Sequence, residues 1–381
     1  MKHWHETQQV VHALSAWLAE DVACALATVV RVQGSAYRHE GAKLAVNARG
    51  EHVGNVSGGC LEADVREVAL RVATSGVAER RRYCGGSDEV AAWDLGLGCE
   101  GVVDLLVEPV REPRTADALS LALGRGYVAA TRLEGDAEGP LGLATPSRVV
   151  LRPHGAEARR IVQGTLGDAA LDAVAAREAA AWYASGRSGI VVHGDATLFV
   201  EVLVPAPQFV VVGAGDDAVP VAALAAATGF RTTVVDRRPA LLARERFEGA
   251  VRLVEGDADA LATLLADARR PLGTLGAGDF AVVMTHDFAH DAAYLRALLA
   301  SPVGYVGALG PRARTERMLA AFAREGVVVD ESRLYAPVGL DIGTDGAEQV
   351  AIAIVAEALA VRSGRRPRSL RERATPIHAA E

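Results

Sequence analysis

Apolar positions along the chain follow two different rhythms. In the first part, residues 24–32 (CALATVVRV) form an apolar, β-branched run that Gly34 and Ser35 interrupt, which predicts a strand. Residues 43–46 and 52–57, on either side of the turn Asn47-Ala48-Arg49-Gly50, predict a hairpin running into Gly58-Gly59. Leu61, Val65, Val68 and Val72 then recur at helical spacing, so an amphipathic helix follows and ends near Gly76. A glycine-rich turn at 96–101 leads into a strand at 102–107. Strand-like runs at 147–151, 189–193 and 198–204 and a helix over 168–184 complete this part. Their irregular order suits an α+β domain over residues 1–204 better than a repeating βα unit.

Pro205-Ala206-Pro207 ends the last of these strands and predicts a short, stiff linker. Beyond it, apolar strands at 208–212, 231–235, 250–254, 280–285, 303–306 and 333–336 alternate with helical stretches. Continuous apolar strands alternating with helices predict an α/β fold over residues 208–361: a Rossmann-like domain with a doubly wound parallel sheet. Residues 362–381 hold six arginines with Pro367 and Pro376 and predict a solvated basic tail.

Composition narrows the function classes. The 381 residues are 50% hydrophobic and 23% charged, which excludes a mainly disordered chain, a collagen and a small disulfide scaffold. A net charge of -8 argues against a nucleic-acid binder, whose phosphate contacts need a basic face. No apolar run approaches the roughly 18 residues of a membrane span. The first thirty residues carry His3, His5, Glu6, Glu20 and Asp21 where a signal peptide would be apolar, so the expected location is the cytoplasm. The four cysteines, at 24, 60, 84 and 99, form no Cys-x-x-Cys and are expected as free thiols rather than a zinc site.

Five constellations carry chemistry. Gly213-Ala214-Gly215-Asp216-Asp217-Ala218 follows a strand and opens a helix, as the dinucleotide fingerprint requires, and Asp236 stands at the next strand's end, where such folds place the ribose-binding carboxylate. Against a dinucleotide, Asp216 and Asp217 compete for the amides and dipole that would hold a pyrophosphate; the plainer reading makes one of them the N-cap. His286 and Asp287 follow the fourth strand of the sheet, at the ligand-binding rim. His286 and His290, four apart, would share a helix face and could bind a metal, which motivates a metallohydrolase reading. In 307–314, Gly310 and Arg312, with Pro311 in the first helical turn, form a candidate anion site. Asp341, in Gly339-Leu340-Asp341-Ile342-Gly343, is expected on the same rim, and Asp345 and Glu348 have capping-box spacing. Finally, Ser57-Gly58-Gly59-Cys60-Leu61-Glu62 puts a thiol at a helix N-terminus beside two glycines, and Cys99 repeats a cysteine inside a glycine turn.

Taken together, these residues resemble the XdhC/CoxI family of accessory proteins for molybdenum hydroxylases. The similarity lies in residues 27–35, the run 53–62 and Gly96-Leu97-Gly98-Cys99 in the first part, and in the loops at 213–218, 285–287, 304–311 and 339–343 in the second. The resemblance implies a chaperone that binds molybdenum cofactor transiently, as molybdopterin or its dinucleotide form. It further implies that the protein protects the cofactor, supports its sulfuration with a cysteine desulfurase, and delivers it to an apo molybdenum hydroxylase of the xanthine dehydrogenase or CO dehydrogenase type. The implied cofactor-binding set is Ser57, Gly58, Gly59, Cys60, Glu62, Cys99, Gly213, Gly215, Asp216, Asp236, His286, Asp287, Gly310, Arg312 and Asp341. Asp216-Asp217 and Glu100 depart from the family's usual residues. An NAD(P)-dependent oxidoreductase using the Rossmann domain is the alternative, a homodimer is the expected assembly, and an accessory factor is favoured over an enzyme.

Overall fold

In the computed structural model of the chain, the described residues are 2–34, 36–84, 101–111, 126–133, 139–140, 146–151, 161–249, 251–266 and 275–372. They divide into two units, Lys2–Pro205 and Ala206–Glu381.

The first unit is built on β1 (Cys24–Gln33), and its run of apolar residues has a simple cause. Successive side chains of a strand point to opposite faces, and here both faces are covered. Ala25, Ala27 and Val29 pack with Val65, Val68 and Val72 of helix α2 (Glu62–Ser75), while Cys24 and Leu26 pack with Val10, Leu14 and Trp17 of helix α1 (Lys2–Ala19). Helix α1 was not predicted from the sequence. Strands β2 (Lys43–Asn47) and β3 (His52–Gly54) form the expected hairpin, although β3 stops three residues short of Ser57. Strands β4 (Glu79–Cys84), β5 (Val102–Val110) and β7 (Gly139–Pro140) complete a six-stranded antiparallel sheet in the order β3-β2-β1-β5-β4-β7.

A second antiparallel sheet in the same unit contains β6 (Tyr127–Arg132), β8 (Arg148–Leu151), β9 (Ile161–Thr165), β10 (Gly189–His193) and β11 (Ala196–Leu203), in the order β10-β11-β6-β8-β9. Helix α3 (Ala169–Ser185), capped by Asp168, lies on it through Leu171, Ala175 and Ala179. Two buried contacts tie the sheets together: Lys43 Nζ lies 2.7 Å from Glu201 Oε1, and Arg148 Nη2 lies 2.6 Å from Glu108 Oε1. Removing one partner of such a pair strands the other charge in the interior.

The second unit fulfils the Rossmann expectation. Strands β12 (Gln208–Val212), β13 (Arg231–Asp236), β14 (Arg252–Glu255), β15 (Phe280–Val283), β16 (Tyr305–Ala308) and β17 (Leu334–Tyr335) form an all-parallel sheet ordered β14-β13-β12-β15-β16-β17. Phe209 and Val211 face α4 (Ala218–Ala227) and α8 (Ala347–Ser363); Val210 and Val212 face the layer with α5 (Ala258–Ala266), α6 (Phe288–Ala300) and α7 (Arg312–Arg324). The strand order reverses between β12 and β15, so the loops after these strands meet at the topological switch point where open α/β sheets bind ligands. Helix α8 extends to Ser363, so Arg362 belongs to its last turn rather than to a tail.

Candidate functional site

At the switch point, Gly213 has φ 112°, and a Cβ there would lie 2.6 Å from the carbonyl oxygen of Met284. Only glycine lets the loop after β12 lie this close to the loop after β15. Gly215 has no such constraint; a Cβ there would be 3.9 Å from the His286 ring.

Asp236 is buried, and both carboxylate oxygens are engaged. Oδ2 accepts from the Ala214 amide at 2.7 Å and Arg238 Nη2 at 2.8 Å, while Oδ1 accepts from the Arg238 amide and Nε, each at 2.9 Å. Burial raises the carboxyl's pKa, but the Arg238 side chain and the two amides outweigh it and hold the group below its ordinary range. Asp236 thus latches its own loop, and a ribose hydroxyl would find its lone pairs taken.

Asp217 stands at the N-cap position of α4 but makes no capping hydrogen bond, so the plain capping reading of the acidic pair fails. Its Oδ2 instead lies 3.1 Å from His286 Nε2. The Asp216 side chain is 100% exposed and reaches Arg246 Nη2 at 2.8 Å, while Arg246 Nη1 donates to the Ala214 carbonyl. The pair therefore displays negative charge where a pyrophosphate would sit.

His286 precedes α6 and has a left-handed φ of 63°, so it does not share a helix face with His290. This corrects the expected histidine pair. Asp287 caps α6 by accepting from the His290 amide, and that bond lowers its carboxyl pKa. Asp291, which sequence reasoning missed, is buried; its Oδ1 accepts from the Thr285 amide and hydroxyl, and its Oδ2 lies 2.7 Å from Arg314 Nη2. It joins the 285–287 loop to the helix α7 (Arg312–Arg324) that follows the 310–311 turn. Its signal is a carboxylate on the apolar stripe shared with Tyr294, Leu295 and Leu298.

Pro311 takes the N-cap position of α7 rather than its first turn, and Arg312 is exposed as the first helical residue. Gly310, with φ 128°, turns the chain just ahead of them. Asp341 is exposed, following Gly339, whose amide donates to Glu357 Oε2. The expected capping box is absent: Gly346 is the N-cap of α8, and the Asp345 amide donates to Gln349 Oε1 instead of Glu348.

In the first unit, residues 57–62 form a closed bracket. Glu62, the first residue of α2, turns its carboxylate back onto the loop and accepts from the amides of Val56 (3.2 Å), Ser57 (2.8 Å) and Gly59 (2.9 Å) and from the Ser57 hydroxyl. Ser57 Oγ in turn accepts from the Leu61 amide at 3.0 Å. Burial works against the charge on Glu62, but the Ser57 hydroxyl and the amides of Ser57 and Gly59 outweigh it and lower the pKa. The Cys60 thiol is half-buried on this bracket. Asp64, in the same first turn, accepts from the Tyr83 hydroxyl. Cys99 lies outside the described residues. Among the described residues, no three His, Cys, Asp or Glu side chains group so as to hold a metal ion, and no helix is long and apolar enough to cross a membrane.

Comparison with known proteins places both regions. Residues 209–358 match the XdhC Rossmann domain, and residues 17–84 match the XdhC and CoxI family. A probable xanthine dehydrogenase subunit of Bacillus subtilis (strain 168) is 29% identical over 353 residues, 92% of this chain and 96% of that protein. The chain belongs to the XdhC and CoxI family. The Escherichia coli (strain K12) molybdenum cofactor insertion chaperone PaoD is 28% identical over 166 residues, 41% of this chain and 51% of that protein. The crystal structure of a xanthine dehydrogenase from Bacillus halodurans aligns with a TM-score of 0.72 at 26% identity, covering 93% of this chain and 96% of that one. The Cys60 bracket falls inside the XdhC and CoxI match, and the loops at the switch point fall inside the XdhC Rossmann match.

Proposed function

We propose that this XdhC and CoxI family protein is a maturation factor for a molybdenum hydroxylase: it takes up molybdenum cofactor as cargo, shields it, supports its sulfuration together with a cysteine desulfurase, and passes it to the apo-enzyme. The observation that carries this reading is the Cys60 bracket, where a half-buried thiol is held on a loop whose neighbouring amides are consumed by Glu62. A thiol fixed this way suits a sulfur-bearing molybdenum centre, because a cysteine thiolate is itself a metal ligand. The family membership and the likeness to an insertion chaperone support the same reading. Nicotinamide use gains no support from the crevice, since Asp236 is latched by Arg238 and two carboxylates occupy the phosphate position.

The test is parallel anaerobic binding of molybdopterin, its dinucleotide form, NAD(H) and NADP(H), followed by activation of an apo molybdenum hydroxylase with the loaded protein. Pterin binding with transfer is the expected result. Micromolar nicotinamide binding without pterin binding would sink it.

A further inference from the structure

The second antiparallel sheet of the first unit ends on β10 (Gly189–His193), which pairs only with β11 among the described residues. The pairing runs without a break from Gly189 opposite Val200 to His193 opposite Ala196, and Gly194-Asp195 forms the two-residue turn between the strands. Gly194 has φ 57°, as the first central position of a type II′ turn requires. The pair that closes such a turn exchanges both hydrogen bonds, and bonded and non-bonded pairs then alternate along the ladder. The N–H and C=O groups of Gly189, Val191 and His193 are therefore turned to β11, and those of Ile190 and Val192 to the open edge.

Natural sheets blunt such an edge with lysine, proline, a bulge or an inward charge. Strand β10, with the sequence GIVVH, carries none of these. Its faces are used within the chain: Ile190 packs with Val30, Leu106 and Phe199, and Val191 joins the cluster under α3. Val192 alone is left 67% exposed. What stays open is the backbone edge and one apolar side chain on it.

The flanks of the strand say what fits that edge. Arg187 precedes it and Asp195 follows it, both exposed and in no ion pair among the described residues. Laying a second β10 antiparallel along the edge, with Val191 opposite Val191, sets Ile190 opposite Val192 and Arg187 opposite Asp195 at both ends. The outward groups of Ile190 and Val192 then bond one another across the two copies, as the alternation of the ladder demands. Moving the centre to Ile190 or Val192 keeps hydrogen bonds but parts Arg187 from Asp195.

We propose that β10 is the pairing edge of a homodimer, in which two copies join through antiparallel β10 strands about a two-fold axis at Val191. One sheet then runs through both copies, Val192 gains a cross-strand neighbour in Ile190, and the contact is self-complementary, as a two-fold interface must be. This assembly stands independently of the maturation reading.

The test is analytical ultracentrifugation of the full chain from about 1 to 100 µM. A concentration-dependent dimer is expected for the parent. Val192→Lys, which puts a charge on the edge at an exposed position, should weaken dimerisation at least about tenfold. Arg187→Glu and Asp195→Lys should each weaken it by about threefold or more, because like charges then face each other at both ends. Arg187→Glu/Asp195→Lys should recover the parent's dimer, a rescue that a merely misfolded variant would not show. Val191→Cys adds a second measurement: in a non-hydrogen-bonded pair at the axis the two Cα atoms are about 4.5 Å apart, within reach of a disulfide. Mild oxidation should crosslink this variant beyond the background set by the parent's own cysteines. A parent that stays monomeric over this range overturns the proposal, as does a monomer whose Val192→Lys variant loses capture by an apo molybdenum hydroxylase, since the edge then serves a partner's strand. A dimer indifferent to Val192→Lys and to both charge reversals also overturns it, because the copies then join elsewhere.

Discussion

The turns at 57–62 and 213–218 share one local grammar, glycines followed by acidic residues at a helix start, yet they use the acid in opposite ways. Glu62 lies one position inside α2 and folds back to fill the loop with its own carboxylate. Asp216 and Asp217 lie before the first residue of α4 and turn outward, to Arg246 and His286. In these two turns the acid inside the helix reaches the amides of the preceding loop and becomes part of its frame, while the two acids just before α4 make no capping bond and remain on display. The first turn is a rigid mount for Cys60, whereas the second is an acidic lip on a Rossmann crevice.

The sharpest way to break this comparison is to add one methyl group to each turn. Gly213→Ala drives a Cβ to 2.6 Å from the Met284 carbonyl at φ 112°, so steric overlap adds to left-handed strain. It should cost at least about 3 kcal/mol of stability. Gly59→Ala also has a positive φ but meets nothing within 4 Å among the described residues, and should cost only about 1–2 kcal/mol. Urea unfolding followed by circular dichroism measures both, and equal losses would show that the backbone conformation, not the close approach to Met284, governs the crevice loop.

Next in size comes the Glu62 carboxylate. Glu62→Gln removes charge-assisted bonds to loop amides and should cost about 1–3 kcal/mol. Because the folded pKa is lowered, this stabilisation is present above the ordinary glutamate value and is lost as pH falls through the lower folded value. The parent should therefore lose stability on acidification through that window by more than Glu62→Gln does. Asp216→Asn, at a fully exposed side chain, should leave the urea midpoint unchanged. Titrations of stability against pH that overlay for parent and Glu62→Gln would remove the bracket from the comparison.

The legibility of these regions in the sequence follows from how burial writes a pattern. Every Rossmann strand with both faces covered reads as an apolar run, as in Phe209, Val210, Val211 and Val212. Strand β4, with the sequence ERRRYC, was invisible because its charges are partnered across the fold: Arg82 with Asp104 of β5, and Glu79 with Arg71 of α2. Helix α1 hid behind polar residues among its buried Trp4, Val10, Leu14 and Trp17, with no acidic residue in its first turn to mark a start. Site residues defined by type and spacing, such as Cys60 or Asp217, could be named in advance. What each side chain does depends on partners far along the chain, such as Arg246 for Asp216, and no local spacing encodes that.

The thiols offer a third contrast, between Cys60 on its bracket and Cys24 in the sheet. Cys24 is buried, its thiol donates to the Val110 carbonyl at 3.7 Å, and burial pushes its pKa up to about 11. At pH 8 only about one Cys24 in a thousand is thiolate, the form that alkylates. Iodoacetamide labelling mapped by mass spectrometry should modify Cys60 at least about tenfold faster than Cys24. Equally slow labelling of the two would make Cys60 a packing residue and would remove the thiol from the proposed site.

The smallest expected effect lies at the acidic lip and tests whether display of charge, rather than loop shape, keeps anions away. The helix N-terminus of α4 supplies amides and a positive dipole end, and the glycine at 213 gives the backbone geometry a phosphate would need. What opposes an anion is the pair of carboxylates ahead of the helix. Replacing both by asparagine keeps the side-chain size, removes the repulsion and frees Arg246 to face an incoming anion. Inorganic pyrophosphate binding, measured by calorimetry at low salt, should strengthen by about three- to tenfold in Asp216→Asn/Asp217→Asn and lose that gain as salt is raised. Arg312→Ala, at the start of α7, should leave the gain intact if the anion sits on α4 and abolish it if the anion is held at the 310–312 turn instead. A double variant that binds pyrophosphate no better than the parent would mean that the latch of Asp236 by Arg238, and not the acidic lip, closes this crevice to phosphate.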